Sequence, residues 1–104
     1  MRKVDDKNSI CYLISQTSDE DSSGFKTLTE VRTEVWCSVE SITQTEYFEA
    51  GRSKLKAEHR LTVNIDDYGG QRIVELDGSR YGIYRTFRPS ADEIELYLED
   101  KAGL

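Results

Sequence analysis

Apolar and polar residues alternate along most of this chain, the two-residue period of a strand with one buried face. Ser9 to Ser15 is short, apolar and partly β-branched, and reads as a first strand. From Gln16 to Gly24 almost nothing is apolar, so this stretch reads as a loop, with Asp19-Glu20-Asp21 as its acidic run. Thr29 to Ile42 alternates again. Val31, Thr33, Val35, Cys37 and Val39 share one parity; Trp36, Ser38, Glu40 and Ile42 share the other. Such a long strand predicts a bend or an extended hairpin arm.

The period then changes. Thr43-Gln44-Thr45-Glu46 has the form of a capping box, in which Thr and Glu side chains satisfy each other's free backbone N–H groups. Ile42 and Tyr47 flank it as a hydrophobic staple would. Tyr47, Phe48, Gly51 and Leu55 follow one helical face, and Arg52, Lys54 and Lys56 fall in the later turns, where positive charge suits the helix dipole. The pattern predicts one helix over residues 44–56, whose basic face is a candidate subunit interface.

After it the alternation resumes. Arg60 to Asp66 is a strand, broken by Asp67-Tyr68-Gly69-Gly70. Arg72 to Leu76 and Arg80 to Phe87 flank Asp77-Gly78, a strong hairpin signal. Arg88 to Asp92, with the chain's one proline, turns the chain into a last strand, Glu93 to Glu99, with Ile94, Leu96 and Leu98 on one face. About six short, one-sided strands cannot make two full sheets in so small a chain. The expected fold is mainly β: a small, partly open barrel with the helix between its second and third strands. Trp36, Tyr47, Phe48, Leu61, Val63, Ile83 and Leu96 are the expected core, and the barrel's open edges are expected to invite pairing with other chains.

Length and charge narrow the picture. At 104 residues the chain is expected to be one domain over 1–104, with flexible ends at 1–8 and 100–104. No apolar run approaches a membrane span, and the N-terminus lacks the apolar stretch of a signal peptide, which predicts a soluble protein. Fourteen Lys and Arg against 20 Asp and Glu leave a net charge of −6. Such a chain is repelled by free nucleic acid unless its basic residues cluster. Around the predicted helix Arg52, Lys54, Lys56 and Arg60 are offset by Glu46, Glu49, Glu58, Asp66 and Asp67, so no basic stripe forms.

Candidate chemistry is sparse. Cys11 and Cys37 fit no zinc spacing and read as buried small apolar side chains. His59 has no nucleophile near it in sequence. Asp66 and Asp67 precede Tyr68-Gly69-Gly70 and read as turn residues rather than metal ligands. The glycines form no phosphate loop. The expectation is no enzyme, no cofactor and no metal.

The order of motifs resembles the head–tail joining (head–tail adaptor, head-closure) proteins of tailed bacteriophages and prophages. The resemblance is carried by Gly24, Val35-Trp36-Cys37-Ser38-Val39, Glu46-Tyr47-Phe48-Glu49-Ala50, His59-Arg60-Leu61-Thr62-Val63, Arg72-Ile73-Val74-Glu75-Leu76-Asp77-Gly78, Tyr81-Gly82-Ile83 and Ile94-Glu95-Leu96-Tyr97-Leu98. It covers residues 9–99. Cys37 stands where the family usually has Ala, and the segment after Ile65 is short and acidic.

The resemblance implies a structural virion protein. Its members form a ring, dodecameric in the virion, beneath the portal or an adaptor ring, sealing the filled head and docking the tail. Implied partners are further copies of itself, a portal or adaptor protein, a tail protein, and DNA that passes through the channel without sequence recognition; no membrane is implied. The implied location is the virion, and the host cytoplasm before assembly. Asp19, Glu20 and Asp21 then become a candidate channel or partner loop. The alternatives are a tail-completion or terminator ring protein, and a small-barrel module that binds peptide or nucleic acid.

Overall fold

Six antiparallel strands close into a barrel. The structure is a computed structural model that describes residues 7–47 and 53–100; at 44–47 and 53–57 it describes the backbone alone. The strands are β1 (Ser9–Glu20), β2 (Lys26–Tyr47), β3 (Ser53–Asn64), β4 (Ile73–Leu76), β5 (Ser79–Phe87) and β6 (Glu93–Asp100), with a 3-10 turn at Ile65–Asp67. Around the barrel they run β1-β2-β3-β6-β5-β4. Three pairs, Tyr12 with Glu75, Leu13 with Val74 and Ile14 with Ile73, join β4 back to β1. This corrects the expectation of a partly open barrel: β1–β4 pairing closes it.

Alternation chooses the interior, as the pleat requires. Cys11, Leu13, Val35, Cys37, Leu61, Val63, Val74, Leu76, Ile94, Leu96 and Leu98 form one buried cluster, with Ile65, Tyr68, Tyr81 and Ile83 packed against it. Leu61, Val63 and Leu96 are fully buried, and Ile83 is half-buried. Trp36 corrects the expected core, because it lies on the outer parity of β2 and is 56 % exposed. For Tyr47 the backbone alone is described, and Phe48 lies outside the described residues.

The predicted helix is replaced by strand. Gln44 to Tyr47 continue β2, and Lys56 to Ser53 of β3 pair with them, Gln44 opposite Lys56 and Glu46 opposite Lys54. Residues 48–52 lie outside the described residues. Local propensity lost to pairing: Ile42, Thr43 and Thr45 are β-branched and favour extended backbone. The barrel also buries its interior by closing on itself, leaving no face for a helix to cover.

β2 changes partners midway. Its first half, Lys26 to Cys37, pairs with β1, and its second half, Ser38 to Tyr47, pairs with β3. Since β4 reaches β1 only at 12–14 and β6 reaches β3 only from His59 onward, two double-stranded arms extend past the barrel. The first comprises Ser15–Glu20 and Lys26–Val31; the second, residues 43–47 and 53–57. The described residues measure 51 × 43 × 24 Å, with a radius of gyration of 16.4 Å, against roughly 13 Å for a compact chain of this length.

Candidate assembly surfaces

The first arm is built from the stretch expected to be a loop. Residues 16–20 belong to β1, and the connection is only Asp21 to Phe25. Asp19 pairs with Thr27 and Glu20 with Lys26 in register. Asp21 makes the turn: its Oδ1 accepts the N–H groups of Ser23 and Phe25, each at 2.9 Å, and its carbonyl accepts Gly24 N–H at 3.0 Å. Gly24 sits at φ +86°, where a side chain is strained. The three acids therefore do not form one loop. Two are strand residues, and the carboxylate of the third is occupied by the turn.

An ionic lattice on the barrel's outer face holds this arm. Arg80 donates from both terminal nitrogens to the Glu30 carboxylate, each at 2.8 Å, and Gln16 Nε2 donates to it at 2.9 Å. Arg32 donates to Glu75 at 2.9 Å and lies 4.3 Å over the Tyr12 ring. Hydrogen bonds from Arg80 and Gln16 pull the Glu30 carboxyl well below the usual carboxylate value, to about 2. Sequence reading missed this lattice, because its members come from four strands and only the barrel brings them together.

The tip carries exposed apolar surface: Phe25 is 73 % exposed, Leu28 64 % and Val31 54 %. At the opposite end of the barrel Ile10 and Trp36, register partners on β1 and β2, join Val39, Leu76 and Asp77 around a groove of about 500 Å³. The two ends are identified by connectivity. The arm leaves the barrel after Ile14, beside Ile73 at the start of β4, whereas the groove lies at Ser9, where β1 begins, and Leu76, where β4 ends.

Of the basic residues assigned to a helix face, Lys54 and Lys56 lie on β3 in the second arm, and Arg52 lies outside the described residues. Asp66 and Asp67 form the 3-10 turn, whose following segment is fixed by Tyr68 Oη donating to the Gln71 carbonyl at 2.8 Å. Asp77-Gly78 makes the β4–β5 turn with both φ angles positive, +51° and +81°. His59 is half-buried, edge-on to Tyr81 at 5.4 Å. Cys11 and Cys37 are both free and fully buried. The hydrogen bond to Cys37, together with burial, pushes the Cys11 thiol pKa up. At the start of the described chain Lys7 pairs with Glu93, both side chains almost wholly buried. Residues 1–6 and 101–104 lie outside the described residues.

Among the described residues no group of three His, Cys, Asp or Glu could hold a metal ion. The barrel interior is filled by side chains, and what it offers a partner is on the outside: two arms, an apolar tip and a groove in which Ile10, Trp36 and Val39 sit among Asn8, Ser9 and Asp77. That is the form of an assembly module. The family of phage head completion proteins matches residues 7–100, and the chain belongs to that family. No curated protein matched the chain. Membership gives it a structural role in the phage head, associates it with the virion and makes other head or tail proteins its partners.

Proposed function

We propose that this protein is a single connector domain that forms a homo-oligomeric ring at the head–tail interface. The ring lies beneath the portal or an adaptor ring, closes the DNA-filled head and offers its far side to the tail. The observation that carries this reading is the pair of arms leaving opposite ends of a filled barrel. A subunit of this shape can touch ring neighbours and the layers above and below at once, and many individually weak contacts add up when the ring closes. DNA passes through the lumen without sequence recognition, in keeping with the net charge of −6. Asp19 and Glu20 near the tip of the first arm face the channel or an adjoining ring, and the basic residues Arg52, Lys54 and Lys56 of the second arm's sequence meet a neighbouring subunit. The protein acts without catalysis and waits in the host cytoplasm until filled heads appear.

Deleting the gene tests the reading. The expected result is filled or leaking heads alongside separate tails, with joining restored by adding the purified protein. Normal infectious particles without the protein would refute it.

A further inference from the structure

Two apolar surfaces at opposite ends of this molecule have no partner among the described residues. Phe25 and Leu28 project from the first arm, and Ile10, Trp36 and Val39, respectively 39 %, 56 % and 36 % exposed, border the groove. Trp36 lies eleven residue steps along the chain from Phe25, about 36 Å at roughly 3.3 Å per residue. Arg80 holds Glu30 on this same strand, so the arm is fixed pointing away from its own groove. The tip cannot fold back. An arm tip that reaches the groove must belong to another molecule.

Charge says which. Lys26 follows Phe25 at the tip, and Asp77 lines the groove. Neither makes a hydrogen bond or an ion pair among the described residues. A knob of one aromatic next to a cation therefore matches a groove of Trp, Ile and Val beside an anion, and both belong to one chain. We propose that Phe25, at the tip of the β1–β2 arm, seats in the Ile10–Trp36–Val39 groove of a second copy, with Lys26 meeting Asp77. The proposal rests on the ring reading and deepens it by naming the contact between neighbours.

The contact is heterologous: knob and groove are different surfaces, so each copy has both a donor and an acceptor end. Repeated contacts of this kind generate a ring when the rotation closes. Its size also fits. Large aromatic residues bury on the order of 150–250 Å² each, so a few side chains a side stay below the roughly 800 Å² per partner of a stable binary interface. The contact is weak between two free molecules and strengthens when a ring closes.

The sole tryptophan makes the test direct. Phe25→Ser keeps the groove and loses the knob; Trp36→Ala keeps the knob and loses the groove; both positions are exposed, and a dispersed amide spectrum verifies each fold. Isotope-labelled Phe25→Ser protein shows one indole N–H signal. At millimolar concentration that signal is expected to move when unlabelled Trp36→Ala protein is added, and to stay in place when unlabelled Phe25→Ser protein is added. No movement with either partner, or movement with both, overturns the proposal. The ring reading fails separately: particles that assemble normally without the protein refute the ring, whereas a ring in the virion that leaves Trp36 uncovered refutes only this contact.

Discussion

Glu30 and Arg80, separated by 50 residues in sequence, meet as a two-pronged ion pair across the outer face of the barrel. Their strands, β2 and β5, are not neighbours; β1 and β4 lie between them. Glu30 sits on the first arm and Arg80 on the barrel, so the pair sets the angle at which the arm leaves. A two-stranded hairpin is marginal by itself in water, and this tether compensates for the strands the arm lacks on either side.

Glu30→Gln is expected to loosen the arm and spare the barrel. Amide hydrogen exchange should quicken at residues 16–20 and 26–31 while Leu61, Val63 and Leu96 stay protected. Acid should act in the same way. The folded-state pKa of Glu30 is depressed to about 2, so its stabilisation is complete above the ordinary carboxylate value and fades as pH falls towards 2. Wild-type exchange in the arm is expected to approach that of Glu30→Gln over that window, and a gap that persists at pH 2 would count against the tether.

Leu61→Ala and Trp36→Ala should differ sharply in urea. Leu61 is fully buried at the centre of the core cluster, and its truncation is expected to cost about 2–5 kcal/mol. Trp36 is mostly exposed, and its loss from the isolated protein should stay within about 0.5 kcal/mol.

Lys7→Met should destabilise by up to about 3–5 kcal/mol, because it takes a charged partner from the buried Glu93 carboxylate. Adding Glu93→Leu to it should recover most of that loss. Equal instability of the single and double variants would show that the charge pair is not the cause.

Asp21→Ala should cost on the order of 1 kcal/mol, since two backbone N–H groups lose a charged acceptor in an exposed turn. The marker is faster exchange at Ser23 and Phe25.

Both thiols should be inert to an aromatic disulfide reagent in the native protein and react fully in denaturant. Cys11 and Cys37 are sealed in the core, out of the reagent's reach. Rapid labelling without denaturant would contradict the packing.

Much of the barrel was legible as period. The parity that sets Leu61, Val63, Ile94, Leu96 and Leu98 on one face is the parity of the core cluster, although Thr62 and Tyr97 on the other face are buried as well, and Asp77-Gly78 makes the turn its dipeptide announced. Parity even placed Trp36 on the outer face of its strand; treating its size as proof of burial overruled that signal. The polar run 16–20 read as a loop because a projecting arm has no buried face, so nothing in it needs to alternate with apolar residues. Asp21, Ser23 and Gly24 were signs of a turn only once the strands on either side were known.

The sequence by itself determined the strand period and most of the residues that fill the interior, because each depends on local alternation or on residue type. Tertiary structure decided the rest. Whether 44–56 is helix or arm, whether the barrel closes, and where β2 exchanges one partner for another depend on pairing between residues far apart in the chain. A capping box contributes about one or two hydrogen bonds, whereas register with a neighbouring strand offers the backbone hydrogen bonds along its whole length; where the two compete, the longer ladder wins.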